Sequence, residues 1–216
     1  ISNSSFPIVI KRNGLASGKG VSIVEDEKQA IEILKSIFVK NSKSEKILIE
    51  EFIQGEEASL FVITDGIHYL SLGGAQDYKR LSDGDLGPNT GGMGAFSPTP
   101  VLSKNVEEIA LKKIIEPTIK EMTLRGTPFK GILYAGLMVS NGDPNLIEYN
   151  VRFGDPECQV LMMRLGGQIL DIILNCVKGK LKNTRVNWAN DHALTVVLAS
   201  KGYPEKYKKG SQIKNL

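Results

Sequence analysis

Short runs rich in β-branched residues at Pro7–Lys11, Val21–Val24 and Lys46–Ile53 predict three strands near the start of the chain. Between them, Asp26 and Gln29 have the spacing of a capping box, and Ala30, Ile33, Leu34 and Ile37 recur at helical spacing. Ser59–Thr64 and His68–Leu72 flank Asp65-Gly66, and Leu133–Val139 and Leu146–Ile147 flank Asn141-Gly142, so each set predicts a hairpin. Ser103 is placed to cap a helix through Ile109, Ala110, Lys113 and Ile114, which Pro117 should kink or restart. Pro156 to Leu181 carries a long helical stripe of Leu, Met and Ile, interrupted at Gly166-Gly167, that suits core packing better than a cofactor box. Ala193–Ala199 reads as a last strand. Gln76 to Pro98 holds so many Gly, Asp, Pro and Asn residues that no regular element fits it, and loops of that length are usually functional or disordered.

The chemistry concentrates after the second hairpin. Side chains alternate faces along a strand, which puts Glu148, Asn150 and Arg152 on one face and Ile147, Tyr149, Val151 and Phe153 on the other. Oxygens of Glu148 and Asn150 can hold one hard cation such as Mg²⁺, and Arg152 can grip a phosphate with two parallel hydrogen bonds. Spacing alone leaves a plain solvated strand face equally open.

Bulk properties narrow the partners. Hydrophobic residues at 41% and charged residues at 24% describe an ordinary globular protein, and a net charge of +3 is too small and dispersed for a nucleic-acid surface. Lys206, Lys208, Lys209 and Lys214 read as a solvated face. Cys158 and Cys176 form no disulfide or metal framework. Together with the lack of a secretory signal or an uninterrupted apolar span, this predicts a reducing, cytoplasmic setting with no membrane partner. The opening Ile1-Ser2-Asn3 and the abrupt end at Leu216 read as cuts in a longer polypeptide.

Two glycine-rich segments invite phosphate chemistry. Gly14 to Gly20 lacks the spacing and terminal hydroxyl of a P-loop and returns to a strand, which suits a mobile hairpin closing over a nucleotide; a plain flexible hairpin is the alternative. Lys11 enters that loop. Glu50-Glu51-Phe52-Ile53 and Gly55-Glu56-Glu57 crowd carboxylates beside an apolar strand; if a nucleotide lies there, main-chain groups around Glu51 and Ile53 can read adenine and a carboxylate such as Glu57 can accept ribose hydroxyls, and an ordinary acidic surface turn is the alternative. Gly87-Pro88-Asn89-Thr90-Gly91-Gly92-Met93-Gly94 permits close backbone approach to a ligand, with Asn89 and Thr90 as donors.

Taken in order, Lys11 with the Gly14–Gly20 loop, Ile49–Phe52, Gly55–Ser59, Gln76–Arg80, Gly87–Pro98 and Arg152–Glu157 with Gln159 resemble the phosphoribosylamine–glycine ligase family of ATP-grasp enzymes over nearly the whole chain. The Arg-Phe-Gly-Asp-Pro-Glu run is that family's own signature, whereas the lysine and glycine-loop pattern is general to ATP-grasp enzymes. The resemblance implies an α+β ATP-grasp fold with a partial lid subdomain over 1–54, a central antiparallel-sheet subdomain over 55–183, and the start of a truncated β-rich C-terminal domain over 184–216. It implies that ATP phosphorylates glycine and that the amine of 5-phosphoribosylamine attacks the glycyl phosphate, giving glycinamide ribonucleotide, ADP and phosphate in purine synthesis.

By the same resemblance Lys11, Gly18, Lys19 and Gly20 contact ATP phosphates, Glu51, Phe52 and Ile53 hold adenine, and Glu57 holds ribose. Glu148 and Asn150 bind Mg²⁺ or Mn²⁺, Arg152 is catalytic, and Lys79, Asn89, Thr90, Gly91 and Asp155 form a phosphate or substrate loop. Such catalysis relies on positioning and electrostatics, consistent with the lack of a nucleophile–base pair; His68 and His192 read as structural.

Two departures matter. The family commonly reads Lys-Ala-Asp-Gly where this chain has Lys11-Arg12-Asn13-Gly14, so a role for that aspartate does not carry over. The family's N-terminal domain and most of its C-terminal domain are not in this sequence, so the isolated chain is expected to lack ligase activity. Another ATP-grasp carboxylate–amine ligase and an inactive nucleotide-binding fragment are the alternatives.

Overall fold

The structure, a computed structural model, describes residues 5–13, 20–40 and 46–214. It divides into two compact units, 1–54 and 55–216.

In the first unit, β1 (Ile8–Arg12) lies between β2 (Val21–Val24) and β3 (Ile47–Glu51) in an antiparallel sheet. Helix α1 (Glu27–Lys40) packs on it, and Ile8, Ile10, Val24, Ala30 and Ile37 form a small core. The capping pair is present with a shift of one residue: Asp26 Oδ1 accepts from Gln29 N at 2.8 Å, while Gln29 Oε1 accepts from Glu25 N at 3.1 Å.

The second unit is built on a six-stranded sheet in the order β10-β9-β4-β5-β8-β11, where β4 is Glu56–Thr64, β5 Tyr69–Asp77, β8 Gly94–Ser97, β9 Gly131–Ser140, β10 Asp143–Asn150 and β11 Ala193–Val196. Period-two alternation sends neighbouring residues into two cores. Ala58, Leu60 and Val62 of β4 and Leu133, Ala135 and Leu137 of β9 face one side. Phe61 and Ile63, with Tyr134, face the other. Helices α2 (Lys104–Ala110) and α3 (Glu116–Leu124) cover the first side; α4 (Glu157–Leu165) and α5 (Ile169–Val177) cover the second.

Local chemistry explains the joints. Asn141 and Gly142 both take positive φ, 50° and 80°, as a two-residue hairpin turn requires. Ser103 Oγ accepts from Val106 N at 3.4 Å and starts α2. Pro117 has no N–H for the preceding turn, and the helix passes it through a π-helical turn at Leu111–Ile115 that leads into α3. Gly166, at φ 58°, ends α4. The stretch Glu157–Val177 is long and apolar enough to cross a bilayer by length and composition. Val160, Leu161, Leu165, Ile172 and Cys176 within it lie in the core against the sheet.

Three expectations are corrected. Gln76–Pro98 is not irregular: it contains β6 (Arg80–Ser82) paired with β7 (Leu86–Asn89), and β8, which pairs with both β5 and β11. The last strand stops at Val196 rather than Ala199. The face assignment fails beyond Asn150, where β10 ends: Val151 is 69% exposed, and Phe153 stacks toward Phe61 in one core while Tyr149 packs in the other.

Residues 184–216, read from sequence as the opening of a further domain, lie in the same compact unit as 55–183. Strand β11 is the edge of the main sheet. Trp188 stacks under the Arg164 guanidinium at 4.7 Å, and Asn187 N donates to Gln168 Oε1 at 2.9 Å.

Candidate active site

Strand β10 presents the metal-type donors. A bulge between Leu146 and Glu148 shifts the register, so Glu148 lies opposite Gly136 and Asn150 opposite Tyr134. Cross-strand partners share a face, so Glu148 and Asn150 project on the side that carries Tyr134. Asn150 Nδ2 donates to Glu148 Oε1 at 3.2 Å. That contact leaves Glu148 Oε2 and Asn150 Oδ1 without a hydrogen-bond partner among the described residues. A carboxylate and an amide oxygen from same-face positions two residues apart are donors that suit a hard divalent cation, which keeps water and substrate oxygens in its remaining positions. No group of three or more His, Cys, Asp or Glu residues suited to a metal occurs among the described residues.

Beyond β10 the chain turns. Arg152 is exposed and donates from Nη1 to Phe153 O at 2.8 Å; Asp155, also exposed, accepts from Gln159 Nε2 at 3.0 Å. The glycine-rich segment meets this turn. A Cβ on Gly92, which has φ 113°, would stand 2.4 Å from Pro156 Cδ, so only glycine permits the approach. Thr90 Oγ1 donates to Lys79 O at 2.9 Å and accepts from Gly92 N at 3.0 Å, while Gly91 N donates to the Tyr203 hydroxyl at 2.9 Å. Asn89 ends β7, exposed.

A cleft of about 810 Å³ opens in the second unit, lined among others by Glu57, Asp77, Lys79 and Arg80 and by apolar Met138 and Leu194. Lys79 Nζ is ion-paired with Glu57 Oε1 and lies 3.8 Å from Asp77 Oδ1. Burial pushes the Asp77 carboxyl up to about 6; Lys79 opposes the rise, and Glu157 and Glu57 add to it. Burial alone would lower the Lys79 ammonium, but Asp77 and Glu57 hold it above the ordinary lysine value.

In the first unit, Lys11 on β1 pairs with Glu50 on β3 at 2.5 Å. Glu51 ends β3, followed by Phe52 at 38% exposure and the half-buried Ile53. Arg12 N donates to Gly20 O at 3.0 Å, closing the hairpin base; Gly18 and Lys19 lie outside the described residues. His68 belongs to a turn in which its N–H donates to Asp65 Oδ1 at 2.7 Å, and His192 is exposed.

Residues 1–158 match the model of the phosphoribosylglycinamide synthetase ATP-grasp (A) domain. The chain belongs to this family. It is 50% identical over its whole length to the chloroplastic phosphoribosylamine–glycine ligase of Arabidopsis thaliana, covering 42% of that protein, and 48% identical to the Brucella melitensis ligase, covering 51%. It spans about half the length of most of the curated relatives it matches. The crystal structure of the Thermotoga maritima phosphoribosylamine–glycine ligase superposes with a TM-score of 0.88 at 37% identity, over 97% of this chain and 53% of that one. A Hydrogenobacter thermophilus biotin carboxylase domain, at 16% identity and a TM-score of 0.66, shares the fold. The α+β ATP-grasp architecture expected from sequence is therefore the one observed.

Within this phosphoribosylglycinamide synthetase domain, sequence reasoning passed over Asp77, Ser59 and Tyr134 as site residues, and for Glu157 it left substrate contact and bracing of the helix start both open. Asp77 stood in view beside Lys79. Ser59 and Tyr134 are single polar positions in apolar strands, a signal that a buried polar partner awaits them.

Proposed function

We propose that the full-length protein carrying this chain joins glycine to 5-phosphoribosylamine, with ATP cleaved to ADP and phosphate through glycyl phosphate. The observation that carries this reading is family membership with 50% identity to a phosphoribosylamine–glycine ligase along the entire chain. The geometry supports it: a two-oxygen cation face on β10 leads into an arginine turn, and the glycine-rich segment packs against that turn.

In this reading Lys11 and the Gly18–Gly20 loop hold the ATP phosphates, Glu51, Phe52 and Ile53 hold adenine, and Glu57 accepts ribose hydroxyls. A divalent cation at Glu148 and Asn150, Mg²⁺ or Mn²⁺, would neutralise phosphate oxygens when bound. Arg152 meets the negative charge that spreads over the transferring phosphoryl group, and Lys79, Asn89, Thr90, Gly91 and Asp155 fix the phosphate or substrate alongside. Preorganised charge of this kind needs no nucleophilic side chain. The expected location is the cytoplasm, although the Arabidopsis relative is named as chloroplastic.

The test is ADP release by the full-length protein, expected only with both glycine and 5-phosphoribosylamine present. ATP binding by calorimetry without glycine-dependent turnover would sink the ligase reading in favour of a nucleotide-binding module. Glu148→Ala should raise the Mg²⁺ concentration for half-maximal rate on the order of 100-fold. An unchanged Mg²⁺ dependence would remove Glu148 from the metal site.

A further inference from the structure

Glu157 begins α4, where a carboxylate is ordinarily explained by the helix dipole and exposed to water. Here it is 2% exposed. Its Oε1 accepts from the Tyr134 hydroxyl of β9 at 3.1 Å; the single hydroxyl proton of Ser59 on β4 goes to Tyr134 Oη at 2.8 Å, with Glu157 Oε1 as the alternative acceptor at 3.4 Å. The carboxylate sits against the backbone of Gly154, so closely that a Cβ there would stand 2.4 Å from Oε2. One buried charged group therefore joins two central strands to the turn that bears Arg152 and Asp155.

We propose that Glu157 is a positioning residue for the site, fixing the Arg152–Pro156 turn against β4, the strand that carries Glu57, and against β9, through Ser59 and Tyr134. The proposal rests on the ligase reading for its kinetic arm only. A carboxylate kept only for helix capping would not need a Ser59–Tyr134 hydroxyl relay from the sheet or a glycine to admit it. The charged and titratable groups facing Asp77 are Lys79, Glu57, Glu157 and the Tyr134 hydroxyl. Burial first, then Glu157, raises the Tyr134 hydroxyl well above its usual range, so it stays a donor at every working pH. Among these groups Glu157 raises Asp77, and removing its charge should let the Asp77 carboxyl titrate at lower pH.

The experiment compares Glu157→Gln, which keeps the shape and an oxygen acceptor, with Tyr134→Phe. In this 216-residue chain, carbon NMR titration of the Asp77 carboxyl should shift to lower pH in Glu157→Gln; an unchanged titration overturns the electrostatic part. In the full-length protein, kcat should fall on the order of 100-fold in Glu157→Gln, with the KM for ATP within about threefold and the thermal midpoint little changed. Tyr134→Phe should give a smaller fall in the same direction. A wild-type kcat in a folded Glu157→Gln overturns the positioning role. Wild-type protein without glycine-dependent turnover would instead refute the ligase reading, while the NMR result still decides whether Glu157 acts on Asp77.

Discussion

Gly92→Ala is expected to destabilise the second unit by about 2–4 kcal/mol, lowering Tm by roughly 5–15 °C. Two costs combine. The φ of 113° is one that L side chains rarely adopt, and the new methyl would have to enter space held by Pro156 Cδ at 2.4 Å. Pro156 is buried and its ring is rigid, so relief must come from separating the glycine-rich segment from the Arg152–Pro156 turn. Gly142→Ala is the control, because Gly142 has φ 80° and nothing within 4 Å of a built Cβ, leaving conformational strain of about 1 kcal/mol. Urea denaturation of both variants checks this; equal midpoints would mean that the Gly92 contact relaxes at no cost. In the full-length protein, Gly92→Ala should also lower turnover, since it moves the turn that carries Arg152.

The contrast between these glycines shows which features a sequence displays. Asn141-Gly142 advertises its turn locally, as do Ser103 before α2 and Pro117 within the helix, because each depends on the chemistry of a few neighbours. The two-sided burial of β4 is legible for the same reason: an uninterrupted apolar run fits a central strand covered on both faces. Gly92 looks like any loop glycine until Pro156 is beside it. Strands β7 and β8 are hidden because Gly87, Pro88 and Gly94 argue against strand locally, and pairing overrides that preference, of β7 with the three-residue β6 in a separate ribbon and of β8 with β5 and β11 in the main sheet. Face alternation identified Glu148 and Asn150 as companions, but it says nothing past the strand's last residue, and Arg152 lies beyond it. The Glu157 network joins residues up to 98 positions apart, a separation only the fold can bridge.

Asp77→Asn is expected to make the protein more stable at neutral pH and less active. The native carboxyl titrates at about 6 instead of 3.8, chiefly through burial, so the fold disfavours its ionised form. For a carboxyl raised on folding, the associated stability is fully present below the unfolded value near 3.8 and is lost as pH rises through about 6. That rise corresponds to about 3 kcal/mol at most, and the realised gain at pH 7.5 should be nearer 1–2 kcal/mol, because the amide leaves Lys79 with Glu57 as its carboxylate partner. Urea midpoints of the two proteins should differ most above pH 7 and converge near pH 4; a variant less stable than wild type at pH 7.5 would refute the account. A site that stabilises when its charge is removed is being kept charged for something other than folding. The cleft supplies the reason in the ligase reading: Asp77 and Glu57 hold the Lys79 ammonium in place and protonated where phosphate or substrate is to be bound. The loss of turnover in Asp77→Asn should therefore follow the pH range over which Asp77 ionises in the wild type, and rate profiles between pH 5 and 8 would reveal it as a missing acidic limb.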